Sequence, residues 1–94
     1  MNSNAIPDIV ELPLEDSLDL HSFPAKEIKA LVTDYLQEAY TAGFSEVRII
    51  HGKGIGVQRE IVRAVATRDP HVMSIHAAAE GAGSWGATII RFTQ

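Results

Sequence analysis

Apolar positions along the chain follow two periods, and each change of period marks an expected element. Residues Ser17 to His21 alternate and predict a first strand. From Pro24 the pattern becomes helical. Ile28, Leu31, Val32, Tyr35, Leu36 and Ala39 recur at i, i+3, i+4 and i+7, while Lys29, Thr33, Asp34, Gln37 and Glu38 form a wet face. Pro24 suits a helix start, where its missing N–H costs nothing, Glu27 falls in the first turn, and Gly43 is a natural stop. A second strand is expected at Glu46 to His51. A second helix follows from Gly56 to Arg68, with Val57, Ile61, Val62 and Val65 inward and Asp69-Pro70 ending it. A third strand is expected at His71 to His76. Ala77 to Gly86, with three glycines, reads as a loop before a fourth strand at Ala87 to Phe92. The order is β-α-β-α-β-β. Its first two crossovers should be right-handed and parallel, and its last pair antiparallel.

Size and charge narrow the picture. Ninety-four residues, 46% of them apolar, make one small domain with a modest core. Without cysteine there is neither a disulfide framework nor a Cys-ligated zinc site. The N-terminal residues lack the basic and apolar regions of a signal peptide, and no apolar run approaches a membrane span. A cytoplasmic protein with no membrane association is expected. Residues 1–16 hold Asp8, Glu11, Glu15 and Asp16 and no base, so they carry the whole net charge of −4. Residues 17–94 balance and do not have the strongly basic surface of a non-specific nucleic-acid binder. The chain therefore divides into an acidic, partly extended arm at residues 1–16 and a domain at 17–94. Ile6, Ile9, Val10, Leu12 and Leu14 make the arm too apolar for a solvated tail. It is expected to lie on the domain, on a partner or on a second copy.

The candidate chemistry begins with His51-Gly52-Lys53-Gly54-Ile55-Gly56, placed between a strand and a helix. Glycines let backbone N–H groups approach a phosphate, the helix N-terminus adds positive partial charge, and Lys53 adds a full one. Lys53, with Arg59 and Arg63, is the candidate for a local basic site on the otherwise neutral domain. If the first two strands are parallel, their C-terminal ends share an edge, where ligands of open α/β sheets bind. That places His21 beside His51. Asp19, two positions before His21, falls on the same face and can orient it for proton transfer. Each feature also has a purely structural reading. The Gly-rich turn matches neither common nucleotide fingerprint, Asp19 can cap the following turn, and Arg59 and Arg63 can form a solvated face. His71 and His76 point to opposite faces and make a poor metal pair. Trp85 either stacks on a base or anchors its loop.

Leu18-Asp19-Leu20-His21, the stretch Glu46 to Gly56 with its HGKGxG motif, Arg59, and the late Gly81-Ala82-Gly83 and Gly86-Ala87-Thr88-Ile89-Ile90 together resemble the Smr (small MutS-related) domain. The likeness covers about residues 17–93. It implies a two-layer α/β sandwich with a four-stranded mixed sheet and two helices on one face. Such a fold is similar to the C-terminal domain of a bacterial translation initiation factor. It also implies nucleic-acid binding and, in many members, endonuclease activity: DNA nicking or RNA cleavage. By this resemblance the functional positions are Asp19, His21, His51, Gly52 and Gly54, with Lys53 and Arg59 as phosphate contacts. The chain departs from the family's habit at Ser22, where Gly is frequent, at Ile55, where a small or polar residue is frequent, and at the bulky Trp85.

The reading that combines these features is a nucleic-acid-binding endonuclease. In it Asp19, His21 and His51 are catalytic, and Gly52, Lys53, Gly54, Gly56 and Arg59 hold the phosphodiester. An RNA substrate needs no metal, since a 2′-OH can attack. A DNA substrate needs a water nucleophile, and Asp19 is then a candidate ligand for Mg²⁺. Two other readings stand beside it: a phosphate- or nucleic-acid-binding module without turnover, and a protein-interaction domain that docks through its arm.

Overall fold

The computed structural model describes residues 14–52, 56–78 and 86–93. The elements are β1 (Ser17–Asp19), α1 (Ala25–Thr41), β2 (Glu46–Ile50), α2 (Val57–Arg68), β3 (Val72–Ala77) and β4 (Ala87–Phe92). One mixed sheet has the order β1-β2-β4-β3. β1 runs parallel to β2, with Leu18 opposite Ile49. β4 is antiparallel to β2 and to β3. β3 therefore runs parallel to β2, as expected, but the two do not touch because β4 lies between them. The final strand fills the place that the second crossover leaves open.

Strand alternation separates two faces. Val47 lies opposite Ile90 and Ile49 opposite Thr88, and all four are buried. With Leu20 and Phe92 they meet Ile28, Val32, Leu36 and Ala39 of α1 and Val62 and Ala66 of α2 in one core. Both helices cover this single face, which makes the molecule a two-layer α/β sandwich. The other face carries the half-buried Arg48, Ile50 and Ile89 and a Glu46–Arg91 ion pair at 2.9 Å.

Several boundaries differ from the sequence pattern. β1 ends at Asp19 and not at His21, because the Asp19 carboxylate accepts the His21 backbone N–H at 3.0 Å and turns the chain. β2 ends at Ile50, so His51 lies just beyond it. The third strand runs to Ala77, and a register shift between Val72 and Ser74 leaves Met73 exposed. Val57, expected inward, is 48% exposed. It occupies the first position of α2, at the cleft described below, while Ile61, Val62 and Val65 pack in or against the core as expected, with Ala66 beside them.

The predicted arm at 1–16 falls outside the described residues except for its last three. There Leu14 packs on the core, the Tyr35 hydroxyl donates to the Glu15 carbonyl at 2.7 Å, and the Arg48 N–H donates to the Asp16 carbonyl at 2.9 Å. Burial, then the charges of Asp16 and Glu15, push the Tyr35 hydroxyl up to a pKa of about 12. Among the described residues no helix is long and apolar enough to cross a membrane.

Candidate nucleic-acid site

The site is assembled where β1 and β2 end side by side. The ladder continues one step past β1, with the Leu20 N–H donating to the Ile50 carbonyl at 2.8 Å. His21 follows in an exposed turn. Its Nδ1 lies 2.9 Å from the Asp19 Oδ1 that also accepts its backbone N–H. A carboxylate only accepts, so Nδ1 carries the hydrogen, and Nε2 is the nitrogen left for proton exchange. These bonds, from the backbone N–H of His21 first and then its ring, hold the Asp19 carboxyl below the usual carboxylate range. Asp19 and His21 therefore form a fixed pair, both open to solvent.

His51 is placed differently. It is 7% exposed, and both ring nitrogens are engaged. Nδ1 donates to the Gly52 carbonyl at 2.9 Å. In the neutral ring Nε2 is then an acceptor, and the Thr88 hydroxyl lies 2.9 Å from it. Thr88 is itself buried at the head of β4. The side chain of His51 thus ties the start of the Gly-rich turn to the neighbouring strand.

Gly86 completes this junction. Its carbonyl accepts the N–H groups of His51 at 2.7 Å and Gly52 at 2.9 Å. A Cβ at Gly86 would stand 3.1 Å from both the Cα and the carbonyl carbon of Gly52. Close backbone approach, and not a positive φ, requires glycine there. Gly52 and Gly56 do need the left-handed region, with φ of 81° and 87°. Gly56 is the N-cap of α2 and offers no side chain to its first N–H groups, which have no partner within the helix. The Arg59 guanidinium lies beside them, 3.8 Å from where a Gly56 Cβ would be.

His21, His51, Gly52, Gly56, Val57 and Arg59, with Ala25 and Gln58, line one cleft of about 470 Å³. The structure therefore brings His21 and His51 together with both described glycines of the turn and with Arg59. Lys53 and Gly54 lie outside the described residues, as do Ile55 and Trp85. Arg63 is exposed on α2 and is not part of the cleft. His71 and His76 lie on or beside β3, at the far edge of the sheet, where His71 stacks on Tyr40 with ring centroids 3.9 Å apart. Among the described residues no three His, Asp or Glu side chains cluster as a metal site.

Sequence reasoning assigned no role to Gly86 or Thr88. Thr88 did leave a signal: with Ile90 and Phe92 it falls on the inward face of β4, and a lone hydroxyl among apolar inward positions asks for a buried partner. Gly86 left its place in the late Gly-rich motif before the last strand but not its contact, because its partner Gly52 is distant in sequence.

A model of the Smr domain matches residues 18–93. The chain belongs to the Smr domain family. Curated relatives include the protein named Endonuclease MutS2 in Caldicellulosiruptor bescii, 39% identical over 82 residues that cover 87% of this chain and 10% of that protein. The same-named protein of Clostridium botulinum is 39% identical over 77 residues, 82% of this chain and again 10% of its own length. This Smr domain thus spans about a tenth of the length of the curated relatives it matches. Among solved structures, the Smr domain of Thermus thermophilus MutS2 superposes with a TM-score of 0.78 at 32% identity, covering 85% of this chain and 100% of that one. YdaL, a stand-alone small MutS-related protein from Escherichia coli, gives a TM-score of 0.72 at 30% identity, over 87% of this chain and 67% of that one. These likenesses agree with the four-stranded mixed sheet and two helices described above.

Proposed function

We propose that this Smr domain binds nucleic acid and cleaves a phosphodiester bond, as the name Endonuclease MutS2 suggests for its relatives. The observation that carries the proposal is that the solvent-exposed His21, paired with Asp19, lines the same cleft as Gly52, Gly56 and Arg59. The N–H groups at the start of α2, Lys53 and Arg59 hold the phosphate. Gly52, Gly54 and Gly56 let the backbone approach it. Nε2 of His21 exchanges a proton with the attacking or leaving oxygen, and Asp19 fixes the ring through Nδ1. In this reading His51 acts by setting the turn, since Gly52 and Thr88 occupy both its nitrogens. Mg²⁺ commonly takes one or two protein carboxylates and completes its shell with water and substrate oxygens. Asp19 would be the ligand if a DNA substrate uses the ion, which would neutralise charge on the phosphate.

The engagement of His51 also favours a second reading: a module that grips phosphates without turnover, because only one histidine is then placed to move protons. Incubating single- and double-stranded RNA and DNA with wild type and His21→Ala, with and without EDTA, tests both. His21-dependent cleavage is expected. Absence of His21-dependent cleavage on every substrate removes the nuclease proposal, while retained salt-sensitive binding would leave the module.

A further inference from the structure

Both helices begin at the sheet edge that carries the cleft, because each follows a strand of the parallel set: α1 follows β1, and α2 follows β2. They therefore run the same way down one face of the sheet, packed on each other. The seam between them starts at the cleft, whose wall includes Ala25 of α1 and Val57 and Gln58 of α2. One turn further along α1 and two turns further along α2 lies a second hollow, of about 370 Å³. Lys29 and Thr33 line it from α1, Val65 and Arg68 from α2, and Asp69 lies beyond the end of that helix. Val65 is half-buried and gives the hollow an apolar wall, while Lys29 and Arg68 are exposed. Among the described residues neither cation is in an ion pair. The neighbouring acid is engaged elsewhere: Oδ1 of Asp69 accepts the His71 N–H at 2.8 Å. Two cations against one occupied carboxylate leave the groove positive on a domain whose charges otherwise cancel.

We infer that the α1–α2 groove is a second phosphate subsite, in which Lys29 and Arg68 hold the nucleic-acid backbone after it leaves the cleft. The inference rests on the nucleic-acid reading above and adds a binding site outside the cleft. Two observations favour this occupant. The groove begins where the cleft ends, between the same two helices, so a strand anchored at Arg59 and the start of α2 meets it without turning away from the protein. Its charge is also of the right sign and spacing. From Gln58 to Arg68 is ten residues of helix, about 15 Å, which is the length of roughly four stacked nucleotides at about 3.4 Å each. Lys29 stands near the start of that path and Arg68 at its end. Such contacts fix the register of the strand and carry no sequence information, because the backbone is the same for every base.

The test is an NMR titration of the full chain with a DNA dinucleotide, which the cleft alone can hold, and with a DNA decamer, both in EDTA. Wild type, the double variant Lys29→Ala/Arg68→Ala, the charge-keeping double variant Lys29→Arg/Arg68→Lys, Arg59→Ala and Arg91→Ala are compared. The alanine double variant should bind the decamer roughly 5- to 30-fold more weakly and the dinucleotide as wild type does. Its salt slope on the decamer should be shallower by about 1.4, for two lost phosphate contacts on a single strand. The charge-keeping variant should retain most of the decamer affinity. In wild type the amides of Lys29, Thr33 and Arg68 should shift with the decamer and not with the dinucleotide. Arg91→Ala removes one positive charge from the other face of the sheet and should leave both affinities near wild type. Arg59→Ala should weaken both oligonucleotides. Unchanged decamer affinity in the alanine double variant hands the groove to a different acidic occupant and overturns the inference. Equal losses on both lengths, or a loss matched by Arg91→Ala, overturn it as well. In each of these cases an Arg59 effect preserves the nucleic-acid reading. If wild type binds neither oligonucleotide, both fall together.

Discussion

Two glycines in contact, Gly52 and Gly86, should respond in opposite order to what backbone conformation suggests. Gly52 has the positive φ of 81°, but among the described residues, its own chain neighbours aside, no atom lies within 4 Å of where its Cβ would stand. Gly52→Ala therefore meets only left-handed strain, about 1 kcal/mol. Gly86 has no positive φ, yet its Cβ would meet two Gly52 backbone atoms at 3.1 Å and a third at 3.4 Å, and backbone cannot swing away as a side chain can. Relief requires the strands to part locally. That motion lengthens the 2.7 Å and 2.9 Å bonds from His51 and Gly52 to the Gly86 carbonyl. Overpacking with partial loss of two hydrogen bonds puts the cost at about 2 kcal/mol, or roughly 10 °C in Tm for a domain of this size. Urea and thermal unfolding followed by circular dichroism give the comparison. Hydrogen exchange at the His51 and Gly52 amides locates it, since only these amides should lose protection ahead of global opening. A Gly86→Ala variant within 0.5 kcal/mol of wild type, or one less destabilised than Gly52→Ala, would refute the reasoning.

Thr88→Val keeps the shape of the side chain and removes the hydroxyl beside His51 Nε2. It should cost about 1–3 kcal/mol through an unsatisfied buried nitrogen, and Thr88→Ser should restore most of it; equal melting of Thr88→Val and wild type would show that the bond contributes nothing. Tyr35 makes an alkaline prediction. Its folded pKa of about 12 lies above the unfolded value of 10.0, so its contribution is complete below pH 10 and is lost as pH rises through 12. Ultraviolet titration of tyrosinate should find this late group in wild type and miss it in Tyr35→Phe, and a wild-type titration with no group near 12 would contradict it.

Much of the fold was legible because its causes are local. The stripe Ile28, Val32, Leu36 and Ala39, the helix start at Pro24, the stop at Gly43 and the alternation in Val47 to Ile49 each follow from one stretch of chain. Val57 misled because its spacing fits the inward stripe, while its position at the start of α2 puts it on the wall of the cleft. The strand end at His21 misled because a side chain, the Asp19 carboxylate, competes with the ladder for the backbone N–H. At the site, the meeting of His21 and His51 at one cleft follows from parallel pairing, which the β-α-β order already implied.

The chain by itself determined the elements, their order, the family and the residue types gathered at the Gly-rich turn, because period, turn chemistry and motif spacing are properties of neighbouring residues. Tertiary structure decided which groups face solvent and which are occupied. It inserted β4 between β2 and β3, which brought Gly86 onto Gly52 and Thr88 onto His51, residues more than thirty positions apart in each pair. That insertion closed Nε2 of His51, whose Nδ1 is already taken by the adjacent Gly52 carbonyl, and left the Asp19–His21 pair open. The physical reason is that burial and hydrogen-bond partnership are set by what the sheet places alongside a residue, and no local pattern encodes the identity of that neighbour.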